Sequence, residues 1–145
     1  MTQPPARILQ QYLEDAGFIS AQEDDGDWPG FVSFMPDKVI DLVAVYDTQG
    51  LLDGRYMTDG VYVEHPGVQI RVRSKTYLTG WRKAKELQNA LAAIEQEQVT
   101  IDDEIYTIHN ATVTAPIAVM GQDPDTDRRE NFSINARLTL AESNP

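Results

Sequence analysis

The stretch PGVQIRVRS (residues 66–74), followed by KTYLTGWRKAKELQNALAAIEQ (residues 75–96), carries two hydrophobic periods back to back. Val68, Ile70 and Val72 alternate with Gln69, Arg71 and Arg73, which predicts a strand over 67–74 with one face in a core and the other wet or facing a partner. After Thr76 the period lengthens. Tyr77, Trp81, Ala84, Leu87, Leu91 and Ile94 trace one stripe, with Arg82, Lys83, Glu86 and Asn89 opposite, which predicts an amphipathic helix over about Thr76–Gln96. Gly80 costs roughly 1 kcal/mol relative to Ala inside a helix, so it marks a frayed first turn or a close approach to a neighbouring backbone.

Working outward, Ile8, Leu9, Tyr12, Leu13 and Ala16 follow Pro4 and Pro5 at helical spacing and predict a helix over about 5–16, ended by Gly17. Residues 23–30, EDDGDWPG, read as a charged loop. Phe31–Phe34 is a short strand. Asp41–Asp47 encloses a continuous apolar run, the pattern of a central strand covered on both faces. Thr48-Gln49-Gly50 then reads as a turn and 51–60 as a long surface loop. Val99–Ile101 and Ile105–Ile108 form a short hairpin about Asp102-Asp103-Glu104. Beyond it, strands over 110–120 and 131–141 are joined by the polar loop 121–130. Pro116 requires an edge position or a bulge. The order α-β-β-α-β-β-β-β gives an α+β class: a largely antiparallel, possibly mixed, sheet with two helices packed on it and a long C-terminal β-hairpin.

Length and composition bound the function. A chain of 145 residues, 41% of them hydrophobic, is expected to form a single domain over 1–145 with a real core. Its formal net charge of −11 disfavours a groove for nucleic-acid backbones. With no cysteine and two histidines, neither a thiolate site nor a histidine-rich metal site is expected. Asp123, Asp125 and Asp127 begin like a calcium loop, but Arg128 and Ile134 stand where glycine and a bidentate glutamate are needed. Asp24, Asp25 and Asp27 read as a solvated turn. No serine lies in a Gly-x-Ser-x-Gly elbow, and no phosphate-binding glycine pattern occurs. The expectation is a protein without a cofactor, a metal or an active site. No apolar run approaches the roughly 20 residues of a membrane span.

The charge is unevenly spread. Residues 1–66 carry −9, residues 67–101 carry +3 and residues 102–145 carry −5. The basic island of Arg71, Arg73, Lys75, Arg82, Lys83 and Lys85, with Arg128 and Arg129 in the later loop, is the candidate subunit or tube interface, since opposite patches on one chain orient copies of it against each other.

The segment 66–74 leading into Tyr77 and an Ala-rich helix resembles the tail terminators, or tail-completion (minor capsid) proteins, of long-tailed bacteriophages. So do Met35-Pro36-Asp37, Ala44 through Gly50, and the closing Phe132-Ser133-Ile134-Asn135-Ala136-Arg137-Leu138. The order is kept over about 5–141. The resemblance implies a structural virion protein, a ring, usually hexameric, that caps the tail tube at its head-proximal end. It also implies contacts with the major tail tube protein and a head connector or stopper, passage of DNA without specific binding, and assembly in the host cytoplasm. The isolated chain is compatible with a monomer that closes its ring on the tube. Two other readings remain: a different head–tail joining protein, and an acidic DNA mimic that inhibits a nucleic-acid enzyme.

Overall fold

The computed structural model describes residues 3–21, 28–36, 38–51, 63–122 and 129–143. Helix α1 (Pro5–Asp15) is followed by β1 (Gly30–Val32), β2 (Leu42–Leu51) and β3 (Val63–Ser74), then by α2 (Tyr77–Ala92) and by β4 (Glu97–Ile101), β5 (Glu104–Val113), β6 (Ala118–Gln122) and β7 (Glu130–Ser143). The seven strands form one sheet in the order β1-β2-β3-β7-β5-β4, with β6 also paired to β7. Every pairing is antiparallel except β1 on β2, which is parallel, so the sheet is mixed.

The fourteen-residue β7 organises this sheet. Along one edge it pairs with β3 from Ser74↔Glu130 to Val63↔Ala141. Its other edge is shared, with β5 pairing to 136–143 and β6 to 130–133. The Thr114 amide donates to the Asn135 carbonyl between them, at 3.0 Å. The predicted strand 110–120 is thus broken at 114–117, where Pro116 has no amide to donate. Its first part continues β5, so the short hairpin and that strand are one element.

The alternation read from the sequence holds in both long strands. Val68, Ile70 and Val72 of β3 and Phe132, Ile134, Leu138 and Leu140 of β7 are fully buried on the face that carries the helices. α2 adds Ala84, Leu87 and Leu91, and α1 adds Ala6, Ile8, Leu9 and Leu13. α1 touches β1, β2 and β3 and also β4, at the far end of the sheet, so the sheet curls and α1 closes the mouth between its edges. At that seam burial raises the Tyr12 hydroxyl above its ordinary pKa, with the Glu97 carboxylate adding to the effect. Pro4, at the N-cap of α1, has no side-chain acceptor, and Asp47 of β2 supplies one, its Oδ1 accepting the Ala6 amide at 2.9 Å.

Several elements depart from the sequence reading. Three strands precede α2, one for each of the segments 31–34, 41–47 and 67–74, whereas the order α-β-β-α counts two. β2 is buried on both faces, Val43 and Val45 in the main core and Leu42 and Ala44 against Phe31, Met35 and Val39. It is nonetheless second from the edge rather than central, because the short β1 closes the sheet beside it. The expected turn 48–50 is strand. Its glycine marks a register shift: a Cβ on Gly50 would lie 2.1 Å from the His65 carbonyl, and one on Gly67 would lie 2.4 Å from the Gln49 carbonyl. Bare backbone there lets two chains approach more closely than side chains permit. β3 begins at Val63 and runs through Pro66, which is paired on neither side. α2 stops at Ala92, with Gln96 in a left-handed conformation (φ 51°) just before β4. Except for Leu51, the predicted loop 51–60 lies outside the described residues, as do most of the 23–30 and 121–130 segments.

Gly80 is explained by packing. A Cβ there would lie 2.4 Å from Cε2 of the Phe132 ring and 3.1 Å from the Ser74 Cβ. That ring is held between Tyr77 and Trp81, with centroids at 5.7 and 6.4 Å, and cannot retreat. The close approach is therefore to a side chain, not to a backbone. Gly80→Ala should lower the thermal unfolding midpoint: overpacking costs typically ~1–3 kcal/mol, which outweighs the helix-propensity gain of about 1 kcal/mol. A raised midpoint in calorimetry would count against this packing.

Candidate interaction surface

The basic island does not form one surface. Arg73 is 3% exposed. Its Nη2 donates to the Pro36 and Val39 carbonyls and pins the segment that covers the outer side of β2. Lys83, placed on the solvent side of its helix by periodicity, is 7% exposed: its Nζ donates to the Phe18 carbonyl at 2.5 Å, lies 3.5 Å from Glu86 and sits 5.5 Å from the Trp28 ring centroid. It ties α2 to the chain following α1. Both residues therefore make internal contacts that hold the folded chain together. A long aliphatic stem lets a cation reach a buried carbonyl from a position that sequence periodicity marks as wet.

The remaining members are dispersed. Arg71 is half-buried on the outer face of the sheet, 5.3 Å from the Tyr46 ring centroid, with its Nε donating to Gln69 Oε1 at 3.0 Å. Lys75, Arg82 and Lys85 are exposed near or along α2, Lys85 donating to Gln88 at 3.1 Å. Arg129 is half-buried beside β7, and Arg128 lies outside the described residues.

The outer face of the sheet is polar and ordered in rows across β2, β3, β7 and β5. In one row Gln69 donates to Asn135 at 3.1 Å. In another, His65 Nδ1 meets Thr139 Oγ1 at 3.2 Å, and that hydroxyl donates to Asn110 at 3.1 Å. Between them runs the row Thr48, Gly67, Arg137 and Thr112. Along this row lies a groove of about 440 Å³, lined by Thr48, Gly67 and Arg137 and reaching Thr114 and Ala115 beyond β7.

A second surface was not legible in the sequence. The exposed large hydrophobic residues among those described are Phe34, Ile40, Tyr77, Leu78, Ile105, Val119 and Met120. All but Ile105 gather at one end of the fold, where β2 begins, β3 ends, β7 begins and β6 runs along it. The register Leu42↔Arg73↔Asn131↔Gly121 sets the segments that carry them at the same end of the sheet. β6 there is also an edge, paired only to β7 among the described strands. Each of these side chains is ordinary in its own segment. Only strand register brings the segments side by side.

Among the described residues no group of three His, Asp or Glu side chains is placed to hold a metal ion, and no helix is long and apolar enough to cross a membrane. The aspartates of 24–27 and 123–127 lie outside the described residues.

A family model described as bacteriophage tail terminator protein matches residues 12–142. No curated protein matches the sequence. One solved structure aligns with 96% of this chain and 90% of its own length, at 14% identity and a TM-score of 0.43.

The division of the basic residues into anchors and surface groups is directly measurable. Arg73→Ala and Lys83→Ala should each cost about 1–3 kcal/mol in chemical denaturation, because they remove buried charged donors from the half-buried carbonyls that they hold. Arg82→Ala and Lys85→Ala should stay within about 0.5 kcal/mol, as exposed substitutions do. Equal effects in the two pairs would contradict the division.

Proposed function

The chain belongs to the bacteriophage tail terminator proteins, a structural, tail-associated family, and on that premise we propose that it closes as a ring, hexameric by resemblance, on the head-proximal end of the tail tube. The ring caps the tube, presents its other face to the head connector or stopper and leaves a channel for DNA. Assembly of the virion tail in the host cytoplasm goes with this reading.

The observation that carries it is the apolar end of the fold. Isolated exposed hydrophobic residues are normal, but a gathered patch beside an open strand edge is a surface that favours a protein partner. Leu78, 52% exposed, and Met120, 49% exposed, are among its members. Interfaces of this kind have an apolar middle and a charged rim. Lys75 and Arg82 supply a cationic rim here. In this reading the patch seats on the tube.

The net charge of −11 per chain bears on the channel. Each phosphate neutralised by a lysine or arginine adds salt-dependent affinity, and a ring through which DNA must slide works better without that affinity. Multiplied around a ring, the excess of carboxylates opposes adhesion.

Negative-stain microscopy of the purified protein mixed with tail tubes should show rings with a central hole at tube ends. The paired substitution Leu78→Asp and Met120→Asp should leave the circular dichroism spectrum unchanged and weaken tube-end binding at least about tenfold, the equivalent of roughly 1.4 kcal/mol. Wild-type protein that neither forms rings nor occupies tube ends would overturn the proposal.

A further inference from the structure

We propose that the groove on the outer face of the sheet receives the acidic β4–β5 hairpin tip of a second copy of this chain, making a head-to-tail seam. This deepens the ring reading above and rests on it.

The groove is built for a carboxylate. Its flanking rows are occupied with each other, Gln69 with Asn135 and His65 with Thr139 and Asn110. The middle row holds Arg137, whose guanidinium has no hydrogen-bond or ion-pair partner among the described residues. A guanidinium presents a planar fork of donors that matches a carboxylate with two parallel hydrogen bonds. Thr48 and Thr114 border the space with hydroxyls. A Cβ at Gly67 would lie 2.5 Å from the Thr48 hydroxyl oxygen, so any side chain there would displace the wall.

The chain carries a matching knob. β4 and β5 are joined by the two-residue turn Asp102-Asp103, both with positive φ, 50° and 67°. That is the tight hairpin turn whose twist suits the flanking strands and which aspartate tolerates better than most residues. Both aspartates are exposed, and neither has a cationic partner among the described residues. A two-residue tip is the narrowest projection a hairpin can offer, and here it ends in two carboxylates. Acids outnumber bases by 23 to 12 in the chain, so an unpartnered arginine in a groove and an unpartnered acidic tip are complementary between copies.

The two features lie on different parts of the surface, the groove across the outer face and the tip where β4 turns into β5. A contact between them is therefore heterologous, the kind that generates a ring when its rotation closes.

Because the chain has no cysteine, disulfide trapping reads this contact without background. An Arg137→Cys, Asp103→Cys chain, assembled on tail tubes and oxidised, should give a ladder of covalent oligomers ending at the ring size. A mixture of the two single variants should give covalent dimers, and neither single variant alone should. Separately, Arg137→Glu and Asp103→Arg should each weaken assembly about tenfold or more, and the two reversals combined should restore it to within about threefold. Rings in the microscope with neither cross-link nor rescue would overturn the groove assignment while leaving the ring intact. A chain that stays monomeric on and off the tube would overturn the ring reading and the seam together. Arg137→Glu assembling normally, with a small carboxylate such as acetate bound to the wild-type groove in NMR titration, would show an anion site unconnected with assembly.

Discussion

The ladder between β3 and β7 is the constraint from which the rest of the fold follows. Its register sets Val72 opposite Phe132, Ile70 opposite Ile134 and Val68 opposite Ala136, all on the core face. A slip of β7 by one residue would turn its apolar set outward and bring Asn135 and Arg137 into the core. The same register puts the Phe132 ring beneath Gly80 and between Tyr77 and Trp81, which fixes where α2 crosses the sheet. β2 then follows β3, and β5 and β6 share the other edge of β7 end to end. The groove and the apolar end arise from the same ladder: the first is the row in which β3 has glycine, and the second is where β3 stops and β7 starts.

How far this could be read beforehand depended on the range of the interaction concerned. The strand over 67–74, the strand ending in 131–141 and both helices were legible, because each carries its own period and that period follows the buried face, with Tyr77, Gln10 and Lys83 as the departures in the helices. The errors came where one element answers to another. Thr48-Gln49-Gly50 has the composition of a turn, and it is strand because Gly67 faces it and allows close approach. Pro66 reads as a strand entrance, yet it lies within β3 at a position that neither neighbour pairs. A continuous apolar run shows burial on both faces. It does not show whether a neighbouring strand or a covering loop provides it, and for β2 it is Met35 and Val39, beside the carbonyls that Arg73 holds, together with Phe31 of β1.

The candidate interface is subject to the same limit of range. Charge counting marks the basic stretch but treats its members alike. Arg73 and Lys83 differ from Arg82 and Lys85 in what their heads reach, and no local pattern encodes a carbonyl 34 or 65 residues away. Arg137 drew no notice beforehand because it is a single cation in a strand. It acquires meaning from the groove that it lines with Thr48 and Thr114. The apolar end was equally invisible, since it is assembled from segments beginning at Phe34, Tyr77 and Val119 that share nothing in sequence.

Like-charged copies repel, and a chain at −11 brought against another must meet that repulsion locally. At physiological ionic strength the screening length is about 8 Å, so what decides docking is the charge within a side chain or two of the contact and not the total. A chain can therefore be strongly acidic as a whole and still associate with itself, provided that its few unspent cations stand where a neighbour's carboxylates arrive. Burying Arg73 and Lys83 in internal work leaves few such cations, and that scarcity restricts the orientations in which two copies can meet. A basic surface of the same size would tolerate many dockings and would hold DNA as well. An acidic chain with a cation set in a groove tolerates few, which is the property a closed ring of fixed size requires.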